Sequence, residues 1–417
     1  MYIGEHFHDM NKRQRYVSGF LLCCITILSQ CITKAPIKED LRGNQFAGAA
    51  ACAGCHQSIY DAFLRSAHHN TSRPASKATV LGSFLSPDNV FTYSNGMKVQ
   101  LEAHDSALFQ AAYVHDTLTA IHPFDIAIGS GRKAQTYLYW KNDKYYQLPL
   151  SYFVPAANWA NSPGFPAAYP RFDRMIPSTC FGCHSSGVAF KEVKMEGLQL
   201  SESFVKNEIV YGIDCERCHG AAAAHVEFQS AHPEEKQAKY ITTISSLKNQ
   251  QRLDMCGLCH SGLKTPQKPA FSYQPGDPLS DYFFPDPGRP VKATEMDVHG
   301  TQYQLFTASK CSIMSTDMNC SSCHNPHAKE SDDIAVFSQR CINCHQTTGD
   351  HFCKQKGFAA SVLAANCIDC HMPALPSGNI TLLTNGQTKP TPDFIRTHLI
   401  SIYPEETKKV IERLRKK

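Results

Sequence analysis

The sequence predicts a mainly α-helical and irregular chain, built around bound groups more than around a side-chain core, with one antiparallel β unit inserted. Three observations lead there. The pattern Cys-x-x-Cys-His occurs seven times in 417 residues. Six copies fall between Cys180 and His371, one per 32 residues, too little chain for a separate hydrophobic core around each. Residues 81–178 contain no cysteine and alternate apolar and polar around turn dipeptides.

The seven copies run from Cys52 to His56, Cys180 to His184, Cys215 to His219, Cys256 to His260, Cys320 to His324, Cys341 to His345 and Cys367 to His371. On a helical turn, residues three and four apart share a face. Both thiols of a copy can therefore reach the two vinyl groups of one haem, and the histidine falls beneath the iron. A zinc ribbon or a disulfide framework also uses Cys-x-x-Cys pairs, but neither requires histidine directly after the second cysteine. Seven of seven favours seven covalently attached haems c. The thioether residues are then Cys52, Cys55, Cys180, Cys183, Cys215, Cys218, Cys256, Cys259, Cys320, Cys323, Cys341, Cys344, Cys367 and Cys370. The proximal ligands are His56, His184, His219, His260, His324, His345 and His371. The expectation is a multihaem cytochrome whose packed porphyrins form the core.

The formal charge of +4 omits those cofactors. A ferric haem with two ionised propionates contributes about −1, so the loaded chain falls to roughly −3. That argues against nucleic acid as a partner, and many of the 41 Lys and Arg become propionate partners or solvated surface.

Lys12, Arg13 and Arg15 precede an apolar run from Val17 to Leu28, the order of a secretory signal. Met10 is an alternative start. The run ends at Leu28-Ser29-Gln30-Cys31, which resembles a bacterial lipobox, although Gln30 stands where a small residue is usual; a plain cleaved signal is the competing expectation. Residues 1–31 are thus expected to be a signal peptide of lipoprotein type with Cys31 as the lipid anchor, and 32–47 a tether. The chain is expected outside the cytoplasmic membrane, in the periplasm or on the outer membrane.

Residues 48–80 hold the first haem segment, 81–178 the β-rich insertion, 179–400 six haems and 401–417 a C-terminal helix. Within the insertion, Asn95-Gly96 between Phe91-Thr92-Tyr93 and Val99-Gln100-Leu101 signals a hairpin. Asn142-Asp143 between Tyr137–Trp140 and Tyr145–Leu148 signals a second. Gly129-Ser130-Gly131 lacks phosphate-loop spacing and reads as a tight turn. Residues 226–255 are expected to be helical. Residues 266–290 hold seven prolines and predict an extended strap. Pro404-Glu405-Glu406 at one end and Arg413, Arg415 at the other suit a terminal helix.

Seven irons call for up to seven distal ligands. His225 and His327 follow a proximal histidine too closely to cover the same haem, so each reaches a neighbour. His68, His299, His351 and His398 lie near motifs or in short connectors. The seventh ligand is open, with His104, His115, His122 and His232 as weak competitors. An iron with two histidines passes electrons, whereas a five-coordinate iron binds small molecules. The first haem, the most isolated in sequence, is the expected place for such an exception. Cys311 and Cys353 lie outside the motifs and could pair, stay free or bind sulfur near a haem.

With these residues in view, the chain resembles the multihaem c-type cytochromes related to the tetrahaem electron carrier of the hydroxylamine pathway, the cytochrome c-554 and c-prime group, in a poorly characterised branch. The likeness is carried by Ala51–His56 with Ser66-Ala67-His68, Gly129-Ser130-Gly131 with Tyr137-Leu138, Gln147–Trp159, Gly212–His225, Pro275-Gly276-Asp277, Ser309-Lys310-Cys311, Cys320–His327 and Cys367–Pro373. It implies distal roles for His68, His225, His299, His327, His351 and His398. No Cys-x-x-Cys-Lys site is present, the lysine-ligated haem of the related nitrite reductases, and this weighs against an enzyme. The leading expectation is an exported heptahaem carrier serving redox proteins of the periplasm or membrane. The alternative is a reductase or oxidoreductase of a small nitrogen or sulfur compound at one open haem.

Overall fold

A computed structural model describes residues 39–197, 199–285, 292–296, 299–330 and 334–416. The expected signal (1–31) and the first part of the tether (32–38) lie outside the described residues. Leu41–Lys417 forms one unit.

Helix α1 (Ala49–Phe63) opens the unit and is followed by ten strands before the next α-helix. These are β1 (Ser72–Pro74), β2 (Val90–Thr92), β3 (Lys98–His104), β4 (Ala107–Val114), β5 (Thr117–Pro123), β6 (Ile126–Ile128), β7 (Ala134–Lys141), β8 (Lys144–Gln147), β9 (Leu150–Phe153) and, tenth, β10 (Asn158–Asn161). Both turn dipeptides lie between paired strands: Phe91 faces Val99 across β2–β3, and Trp140 faces Tyr145 across β7–β8. Asn142 and Asp143 both take positive φ, 51° and 58°, the geometry of a primed turn that follows the strand twist. Gly129 turns the chain between β6 and β7 at φ +105°, where a Cβ would stand 2.5 Å from the Ala134 carbonyl oxygen.

The later chain is α2 (Ser178–His184), β11 (Ser185–Glu196), β12 (Gln199–Tyr211), α3 (Cys215–His219), α4 (Ala223–Ala231), α5 (Asn249–His260), α6 (Gln302–Thr307), α7 (Lys310–Ile313), α8 (Ile334–Ile342), α9 (Ala360–Ala365), α10 (Cys367–His371), β13 (Ala374–Thr384), β14 (Thr391–Arg396) and α11 (Pro404–Arg415). The expected helix over 226–255 is two helices, α4 and α5, with irregular chain between them after His232-Pro233. Proline removes the amide donor that a continuing helix needs.

The mainly helical fold class is wrong, because strand and helix occur in near-equal amounts. One sheet runs β1-β6-β7-β9-β10-β13-β14, with β8 on β7; a second runs β2-β3-β4-β5; β11 and β12 form a long hairpin. The β structure is therefore more than an insertion. Strand β13, two hundred residues downstream, joins β10 through Ala160 opposite Thr384. Two causes hid it. The β11–β12 ladder slips at three points between Ser185 and Glu192, and bulges erase the two-residue alternation that marks a strand. β13 carries Pro376 and Gly378, residues that argue against a strand. Meanwhile α3 and α10 span only five residues each, too short to stand without packing.

The two larger sheets share one core. Phe91, Val99, Leu101 and Leu108 of the second meet Tyr137, Leu148, Leu150 and Trp159 of the first. Gln110, fully buried, links them by donating to the Leu150 carbonyl oxygen (2.9 Å) and accepting from the Leu150 amide (3.0 Å). A second cluster of Ile126, Leu138, Tyr145, Phe181, Val188, Phe204 and Ile209 fixes α2 and the β11–β12 hairpin to the other face. The sheets thereby act as a rigid wall beside the motifs.

A multihaem cavity and its paired histidines

Each motif closes the same local turn. The His324 amide donates to the Cys320 carbonyl and the His345 amide to the Cys341 carbonyl, both at 2.9 Å, so the motif is helical even where the element around it is a single turn. The caps differ. Asp214 Oδ1 accepts from the Arg217 amide at the start of α3 (3.1 Å), Asn319 accepts from the Ser321 amide, and Glu202 receives both the amide and hydroxyl of Ser178 at the start of α2. Such caps satisfy donors that a short helix leaves open.

Part of the expected tether is docked. Arg42 Nη1 donates to Asp214 Oδ1 (3.2 Å), and its Nη2 reaches Glu216 Oε2 at 2.9 Å. Glu216 also accepts from the amides of Ala47, Gly48 and Ala222. A carboxylate buried at a variable position of the third motif requires such partners, which draws residues 42–48 against α3.

All fourteen motif cysteines and all seven motif histidines line one cavity of about 3690 Å³. Single ligand pockets run from about 300 to 1,000 Å³, so the space per motif, about 530 Å³, suits one large planar group each. His68, His225, His299, His327, His351 and His398 line it too. His104, His122 and His232 stand elsewhere: His104 on Glu102 at 3.0 Å, His122 stacked on Tyr139 and His232 on Phe228. His115 sits in the turn after β4 at φ 45°.

The cavity histidines are paired across it. The rings of His68 and His260 are 6.3 Å apart, those of His219 and His327 are 6.1 Å, and those of His324 and His398 are 6.2 Å. Metal–imidazole bonds are about 2 Å, so two rings sharing one ion from opposite sides have centroids roughly 6 Å apart. His299 lies close enough to His184 for their charges to interact. Each pair crosses between motifs: the histidine after motif one meets motif four, and the one after motif five meets motif three.

The rings are also held in the ligating tautomer. Nδ1–H donates to a carbonyl oxygen from His219 (Thr242, 2.9 Å), His345 (His351, 2.9 Å), His371 (Ser401, 2.8 Å) and His225 (Lys239, 2.8 Å). A carbonyl only accepts, so Nε2 keeps its lone pair for a metal. His184 Nδ1 lies 3.0 Å from Thr71 Oγ1. Burial pushes His184, His260 and His398 down to about 4, leaving each neutral at pH 7. These orienting partners have no sequence signal, since Thr71 lies 113 residues from His184. Arg217 borders the cavity with a buried Nε lacking an acceptor, a fitting place for a propionate oxygen. The residues present fit covalent haem.

Helix packing gives the order of the motifs in space. α1 packs on α3, α2 on α5, α5 on the turn Cys320–Ser322, and α8 on α10. Cys218 lies near Cys259, and Cys323 near Cys344. The motifs therefore run one, three, four, five, six, seven, with two beside four. Cys311 and Cys353 form no disulfide among the described residues.

The family described as cytochrome c554 and c-prime matches residues 168–220, the stretch with motifs two and three. The fold is similar to the solved outer cell wall cytochrome OcwA, with a TM-score of 0.52 at 16% identity, over 88% of this chain and 81% of that one. No curated protein matches the chain by sequence. The family match is to the stretch with motifs two and three, and the likeness to OcwA is one of fold, at low sequence identity.

Proposed function

We propose that this chain is an exported electron carrier with seven covalently attached haems c, six of them held between two histidines. The observation that carries the reading is the single cavity lined by every motif residue, with histidine rings paired at 6.1–6.3 Å across it. An iron with two imidazoles is saturated and changes charge without binding substrate, so its chemistry is outer-sphere electron transfer. The chain's residues fix tautomers, bury the histidines of the central motifs and pack neighbouring motif helices against each other, which is the arrangement for hopping.

Electrons would enter or leave at the two ends of the row, motif one and motif seven, through redox proteins of the periplasm or membrane. The cell-wall location in the name of the solved relative favours a place in the envelope, and Cys31 would anchor the chain by lipid. The reductase reading rests on one observation, six cavity histidines for seven irons.

The test is photoreduction of a small fraction of the haems, followed by time-resolved absorbance. Redistribution at a rate independent of protein concentration is the expected result. A rate proportional to concentration means that electrons move between chains and not along them, and ends the carrier reading.

A further inference from the structure

We infer that the iron at Cys341–His345 has no histidine in its second axial position and is the chain's site for a small exogenous lone-pair donor. The inference rests on the haem reading above and extends it. Six cavity histidines are to be shared among seven irons, and the structure shows where each goes. His68, His327 and His398 face His260, His219 and His324, and His299 lies by His184.

His225 belongs to motif one. It stands on α4, whose Ala223 amide donates to the Gln45 carbonyl just ahead of α1 (3.0 Å), and α1 packs on α3, the helix of motif three. That leaves His351 for motif six or motif seven. The His351 carbonyl accepts from His345 Nδ1 at 2.9 Å, which puts its backbone behind the motif-six ring, on the side away from Nε2. A porphyrin on Nε2 would lie between that backbone and the far axial position, so His351 cannot close it. Two residues on, Cys353 lies near Cys370 of motif seven, so motif seven is the one left to His351. Among the described residues no cavity histidine remains for motif six. Cys344 and His345 lie at the exposed edge of the cavity. On this assignment His225 serves the first haem, and the exception expected there from sequence moves to motif six.

The test uses the full-length, haem-loaded protein, with low-temperature EPR of the ferric form and carbon monoxide titration of the reduced form. One high-spin haem in seven and one carbon monoxide per chain are expected. Replacing His345 by glycine leaves the thioether-held haem without its proximal ligand. The Fe–His Raman band of the carbon monoxide-binding haem should then vanish, and return with added imidazole. If that band persists in H345G, the open iron is elsewhere and the inference falls. Should H345G not accumulate, single alanine substitutions of the six cavity histidines decide: each should raise carbon monoxide uptake from one to two, and any that does not overturns the assignment. Seven low-spin haems, with Cys311 or Met314 supplying the ligand, overturn this inference but not the carrier reading. A chain without covalent haem removes both.

Discussion

Replacing Arg42 with methionine should cost more than any exposed ion pair in the molecule. Its side chain is 8% exposed and contacts Asp214 and Glu216, themselves 6% and 1% exposed. It also lies over the Phe46 ring, 4.3 Å from its centroid. Exposed pairs contribute about 0–1 kcal/mol. Removing one partner of a buried set leaves uncompensated charge and costs about 3–5 kcal/mol. Glu216 retains three amide donors, so the lower end, about 3 kcal/mol, is the expected loss. The assay is urea unfolding of the loaded protein followed by far-UV circular dichroism. Adding D214N and E216Q to the methionine variant should restore most of the loss, because no charge then remains buried. A loss below about 1 kcal/mol, or a triple variant weaker than R42M, would refute the claim that this cluster is dry and holds the N-terminal segment to motif three.

Gly212 takes φ +70°, and a Cβ there would stand 2.2 Å from the His69 carbonyl oxygen; Gly212→Ala should destabilise by about 1–3 kcal/mol or more. Since the neighbouring Ile213 amide holds the His68 carbonyl at 2.9 Å, the EPR signal of the haem proposed between His68 and His260 should also broaden. Trp159→Ala, at a site 2% exposed where Nε1–H donates to the Ser83 carbonyl, should cost about 3–5 kcal/mol while all seven haems remain attached. Acid should weaken the fold in a defined window. His184, His260 and His398 are held near 4 by burial, against about 6.5 unfolded. Their folded pKa is lowered, so stability is complete above pH 6.5. It falls as pH drops below about 6.5, where the unfolded chain takes up protons on these rings that the folded chain, holding them buried, does not. Urea midpoints that rise between pH 6.5 and 5 would contradict this.

The site was more legible than the fold. The five-residue motif is a local pattern, so the residues that line the cavity could be listed from it, and the six histidines expected as distal ligands line the same cavity. Which histidine faces which motif could not be read. His68 meets His260 and His327 meets His219 through contacts made by the whole fold. The hairpins at Asn95-Gly96 and Asn142-Asp143 were legible because turn chemistry is local. Strands β11 to β14 were not, because bulges and Pro376 break their pattern and β13 finds its partner β10 more than two hundred residues away in the chain. The docking of residues 42–48 likewise depends on a distant buried carboxylate, Glu216.

The central claim, a chain built on seven attached haems, is tested most directly by the intact mass of the exported protein together with its pyridine haemochrome count. The account predicts a mass increment of seven haems and seven haemochromes per chain, with every motif cysteine protected from alkylation. Fewer haems, or zinc in their place with alkylatable cysteines, would contradict it.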